Sequence, residues 1–144
     1  GMALGQRHRI VHVLVAQQGD TQHRTLPGAA LAIEAQAARG EALYAEHCVE
    51  CHAQDMGGAP GSPPLAGRLF LFNWDGETLG SLFEHLRASM PPGQVGALSA
   101  EEMIDALAAI LKANAFPAAS DGAELQPDAD ALAAIAIAWT APSD

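Results

Sequence analysis

Between Ser99 and Pro117 the apolar residues fall at helical spacing, with Met103, Leu107, Ile110 and Leu111 on one face. Ser99 followed three positions later by Glu102 fits a capping box, and Pro117 is expected to stop the helix. Leu79–Ala88 reads as a shorter helix ended by "MPPG". From Leu31 to His47 the composition favours helix, with Gly40 as its weak point. Between these stretches the pattern fails. Residues 53–67, "AQDMGGAPGSPPLAG", are dense in glycine and proline and read as a long irregular loop. Ile10–Ala16 has the look of a strand, and "QQGDTQHRTLPG" that of a polar loop. Residues 118–144 read as loop with a short helix near Asp128–Ile135. These elements predict an all-α domain with long irregular loops.

Composition sharpens this picture. Of 144 residues, 49% are hydrophobic, but alanine supplies much of that and only 5% are aromatic. Alanine favours helix yet buries little area, so the core is expected to be thin and to gain from a large apolar ligand. The net charge is −10, and residues 40–144 alone carry 15 acidic and three basic side chains. That balance excludes the basic footprint of a nucleic-acid binder and disfavours an anionic membrane surface. It suits a protein partner with a basic patch. No apolar run is long enough to span a bilayer. "RHRIVHVLVA" at 7–16 only weakly resembles an export signal, because His12 interrupts it and no small-x-small cleavage site follows.

The only two cysteines stand in "YAEHCVECHAQD", three apart, with His52 directly after the second. Three chemistries use that spacing. A structural zinc site needs four ligands, and beyond Cys48, Cys51 and His52 or His47 no second ligand pair follows. A dithiol redox site sits after a strand at a helix N-terminus, whereas here a helical pattern precedes the cysteines. Covalent haem attachment has Cys-x-x-Cys-His as its signature. Two thiols add to the two vinyl groups of one porphyrin, and the adjacent histidine lies beneath the iron. Haem is the favoured reading. The bland alternative is two incidental cysteines and a surface histidine.

Over residues 36–117 the chain resembles a class I c-type cytochrome. The resemblance implies a small cytochrome c fold, with helices packed around one covalently attached haem c. The family's "G-x-x-x-[FY]" helix is here "GEALYAEHCVECH", where Gly40 admits a close crossing by the C-terminal helix and Tyr44 is the aromatic. The family's aromatic on the crossing helix is replaced by Ala109. The family's ligand methionine sits in a Met-Pro loop, which here is "RASMPPG" and implies Met90. Met2 lies in a terminal tail, Met56 is only four residues past His52, and Met103 reads as core. His85 is the alternative sixth ligand. The resemblance further implies that the Pro64 carbonyl accepts the Nδ1–H of the axial His52. Trp74 in "LFNWDG" is a candidate to aim its indole N–H at a haem propionate, with plain packing as the alternative. Arg68 is a lesser propionate candidate.

The pattern "PPLAG…FNW…ALSAEEMIDALAAILKANAFPA…AEL" is similar to cytochrome subunits and domains that accompany quinoprotein (PQQ-dependent) dehydrogenases. This implies an electron carrier, not an enzyme, placed between such a dehydrogenase and a downstream respiratory acceptor in the periplasm. The alternatives are a haem-based sensor with a labile methionine and a metal-free interaction module. The expected organisation is an N-terminal extension at 1–30, a cytochrome c domain at 31–117 and a C-terminal extension at 118–144 packed on it.

Overall fold

The computed structural model describes residues 12–15, 29–91, 93–116 and 124–138. Six helices and two short strands follow in chain order: β1 (His12–Val15), α1 (Ala29–His47), α2 (Val49–His52), α3 (Arg68–Trp74), α4 (Leu79–Ser89), α5 (Ala100–Ala113), α6 (Ala129–Ala133) and β2 (Ile135–Ala138). The described chain is mostly helical, as the all-α expectation has it. Most of residues 1–30, including Met2, lies outside the described residues, as does Pro117.

α1 and α5 form the frame. The buried side of α1 carries Gln36, Ala37, Gly40 and Tyr44, a spacing that keeps them on one face. At Gly40 the backbones almost touch: a Cβ there would lie 1.8 Å from the Asp105 carbonyl oxygen and 3.0 Å from the Ala106 Cα. Only glycine permits that approach. Three α5 alanines, Ala106, Ala108 and Ala109, are buried along the same helix. Their small side chains let the helices close without an aromatic at Ala109. Across the rim of the crossing, the Arg39 guanidinium meets Asp105 at 3.1 Å and also bonds Glu124. Below it the buried Gln36 exchanges two 2.9 Å hydrogen bonds with the Leu125 N–H and carbonyl.

α5 starts at the capping box read from the sequence. The Glu102 N–H donates to the Ser99 hydroxyl at 3.0 Å, and the Ser99 N–H donates to the Glu102 carboxylate at 2.9 Å. Its end differs from expectation. The helix stops at Ala113, before Pro117, because Asn114 caps it and Ala115 turns left-handed at φ 61°. α4 is capped by Thr78, whose hydroxyl accepts from the Ser81 N–H at 3.1 Å. It buries Leu79, Leu82, Phe83 and Leu86, one helical stripe. α3 was not foreseen. It has no side-chain cap, and its Leu-Phe run lacks helical alternation. Phe70 and Leu71 are buried, while Leu69 and Phe72 are exposed.

Near the C-terminus the expected helix is shorter than Asp128–Ile135, and Ile135 opens a strand instead. β2 pairs in parallel with β1, His12 opposite Ile135 and Val15 opposite Ala138. A parallel pair needs a long crossover, and here the whole helical body provides it. On its other side β2 is fixed by the Gly76 N–H to the Ile137 carbonyl at 2.9 Å. The Ile137 N–H donates to the Glu77 carbonyl at 2.7 Å.

Candidate functional site

The end of α1 runs almost directly into α2. The Cys48 N–H continues the helical ladder to the Tyr44 carbonyl at 2.8 Å, and the His52 N–H reaches the Cys48 carbonyl at 3.0 Å. Cys48, Cys51 and His52 therefore share one turn and one face. All three line one open-mouthed cavity. Tyr44 and His47 from α1, Leu65, Leu98 and the α5 residues Met103, Ala106 and Ile110 supply other parts of its wall. Leu86 and Met90, at the end of α4, and Pro91 complete it. Met90 is the C-cap of α4, half-buried, with its N–H on the Leu86 carbonyl at 2.9 Å.

His52 is buried at 6% exposure, and its Nδ1 lies 2.7 Å from the Pro63 carbonyl oxygen. A carbonyl can only accept, so Nδ1 carries a proton, and in the neutral tautomer that fits this bond the lone pair lies on Nε2. The Pro64 assignment needs correction by one residue: the carbonyl in reach is that of Pro63. The loop is drawn tight there. The Leu65 N–H bonds the Met56 carbonyl at 2.8 Å. A Cβ on Gly58 would lie 2.8 Å from the Ser62 oxygen and 2.9 Å from the Pro64 nitrogen. That pinning turns the Pro63 carbonyl toward the ring.

Both cysteines are free thiols, Cys51 exposed and Cys48 half-buried. Burial pushes the Cys48 thiol above its ordinary pKa, and neighbouring Cys51 adds to the shift. Burial also pushes Tyr44 up to about 12, helped by Cys48 and Asp55. Its hydroxyl donates to the Ala53 carbonyl.

The other candidates divide. Met103 is both core and cavity wall, whereas buried Met56 is outside the wall. Trp74 lies outside the wall too. It packs against Phe70, centroids 6.5 Å apart, and against His85 at 5.7 Å. His85 is exposed, and Arg68 is exposed at the start of α3. Among the described residues no group of three or more His, Cys, Asp or Glu is placed to hold a metal ion. The cysteines follow a helix, not a strand, which disfavours the dithiol reading.

Sequence reasoning did not find the Pro63 carbonyl, His47 in the wall, or the buried amides of Gln36 and Asn114. His47 had a signal, since it adjoins Cys48 at the helix end. The two amides had none, because, apart from Ile110 four residues before Asn114, their partners are 47 to 89 residues away.

The donor set fits a covalently held haem: two thiols one turn apart, a buried imidazole with Nε2 available, and a thioether, all on one largely apolar wall. A family model described as "Cytochrome C oxidase, cbb3-type, subunit III" matches residues 35–109, from within α1 to within α5. No curated protein and no solved structure matches the chain.

Proposed function

The chain belongs to the c-type cytochrome family described as cytochrome c oxidase, cbb3-type, subunit III, and from that premise we propose a one-electron carrier with a single haem c ligated by His52 and Met90. Family membership makes it a haem-based electron-transfer protein rather than a catalytic enzyme. The observation that carries the finer reading is the meeting of Cys48, Cys51, His52 and Met90 on one cavity wall.

When bound, the haem supplies an iron that alternates between ferrous and ferric states. The chain's part is to hold and tune it. Cys48 and Cys51 would hold it through thioether bonds. His52 presents Nε2, with its tautomer fixed by the Pro63 carbonyl. Met90, on the same cavity wall, would offer its thioether sulfur to the iron. The leucines, Ile110 and Met103 give the cavity much of its apolar lining.

The donor we propose is a quinoprotein dehydrogenase, on the likeness of residues 63–125 to such cytochromes. The acceptor is a respiratory protein, and the compartment is the periplasm, where thioether attachment takes place. Among the described residues no helix is long and apolar enough to cross a membrane.

The test is spectroscopic, on protein produced together with haem-attachment machinery. A pyridine haemochrome should show covalent haem c. Met90→Ala should keep that haem but lose the six-coordinate low-spin spectrum and bind carbon monoxide readily in the ferrous state. The ligand assignment fails if Met90→Ala keeps the parent spectrum while Met103→Ala or His85→Ala loses it. The reading as a whole fails if no covalent haem forms.

A further inference from the structure

His52 is the last residue of α2, so its ring is fixed mainly by the loop that follows. The chain leaves His52 at Ala53 and brings the Pro63 carbonyl back against Nδ1. Two side chains from outside pin this loop at its ends. At its start, the Tyr44 hydroxyl of α1 donates to the Ala53 carbonyl. Ala53 sits at φ 70°, a sparsely populated conformation for a residue with a Cβ, so this peptide has to be held in place.

At the other end stands Asn114, the C-cap of α5, only 3% exposed. Its amide donates to the Leu65 carbonyl at 2.9 Å and to the Ile110 carbonyl at 2.8 Å, and its oxygen accepts from the Gly67 N–H at 3.0 Å. Both amide hydrogens are used. Between the two pins, the Gly58 N–H bonds the His52 carbonyl at 2.9 Å, and the Leu65 N–H bonds the Met56 carbonyl. Tyr44 reaches the loop at Ala53 and Asn114 reaches it at Leu65, with the other Asn114 side-chain bonds on Gly67 and Ile110.

We infer that Tyr44 and Asn114 are positioning residues for His52, clamping loop 53–65 at both ends so that the Pro63 carbonyl stays on Nδ1. This deepens the proposed role of His52 as an axial ligand and rests on that role. A carbonyl held on Nδ1–H makes the ring a stronger donor at Nε2. A looser clamp weakens that donation, stabilises ferric iron less and raises the reduction potential.

The test uses the haem-loaded protein with Tyr44→Phe and Asn114→Ser, and with Gln36→Ala as control. Gln36→Ala breaks two buried hydrogen bonds to Leu125 that have no link to the loop. Tyr44→Phe keeps the ring and removes one hydrogen bond, so it decides the matter alone if the asparagine variant does not fold. Both loop variants should raise the potential. In Tyr44→Phe the His52 Nδ1 proton, followed by nitrogen-edited NMR, should exchange with solvent about fivefold faster. Gln36→Ala should lower the urea midpoint and move neither readout. The inference is overturned if the loop variants lose stability as the control does while potential and exchange stay at parent values. Exchange is also read in the haem-free chain, so it decides on the clamp whether or not His52 ligates iron. A parent lacking a histidine-ligated spectrum counts against the proposed function instead.

Discussion

Cys48 and Cys51 stand one turn apart, yet they meet solvent differently. Cys51 is exposed, while Cys48 is half-buried with its thiol pushed up by burial and by Cys51. The thiolate is the reactive form, so before haem attachment Cys51 should alkylate first. Iodoacetamide at mildly alkaline pH, followed by peptide mass spectrometry, should show modified Cys51 while Cys48 remains largely free. The same shift has a consequence for stability. The folded chain holds the Cys48 proton more tightly than the unfolded chain does. This stabilisation is present below the ordinary thiol range and is lost as pH rises through the raised folded value. The Cys-x-x-Cys-His stretch was legible because its chemistry is written in five consecutive residues. The Pro63 acceptor was legible only to within one residue, since a loop's backbone turn is decided by contacts such as Gly58 against Pro64.

At the scale of elements the decisive position is Gly40. Elsewhere in a helix, glycine to alanine gains propensity. Here the added Cβ would meet the Asp105 carbonyl at 1.8 Å, and the partner is backbone that cannot step aside. Gly40→Ala should therefore cost about 3 kcal/mol by forcing the helices apart, read from urea unfolding. A variant as stable as the parent would mean that the crossing relaxes freely. α1, α4 and α5 were readable from composition, capping and stripe because those signals are local. Three elements escaped, the four-residue α2 among them. α3 depends on burying Phe70 and Leu71 against the body, not on a cap. β2 exists because β1, more than 100 residues earlier, lies beside it, and "IAIA" after a short helix does not announce a strand.

For the whole molecule, charge outweighs any single contact. Residues 40–144 carry 15 acidic and three basic side chains, and Glu46, Glu50 and Asp55 are exposed close to the two cysteines. An electron-transfer partner with a basic docking face should be steered toward that side. The second-order rate with such a partner should fall as salt rises, since screening acts over about 10 Å at 0.1 M. An acidic partner should react slowly and improve with salt. Stopped-flow rates across a salt series check both, and a flat profile would assign the encounter to apolar contact. The α1–α5 crossing also has a kinetic consequence. The Arg39–Asp105 pair beside it joins residues 66 apart in sequence, and the chain between them carries every cavity-lining residue except Ala106 and Ile110. Docking the two helices thus closes one large loop, with an entropic cost that must be met before the cavity exists. The cavity is then a late product of topology, assembled when distant ends of the sequence meet and not by any one local turn. If that closure belongs to the folding nucleus, Gly40→Ala will slow folding more than it speeds unfolding.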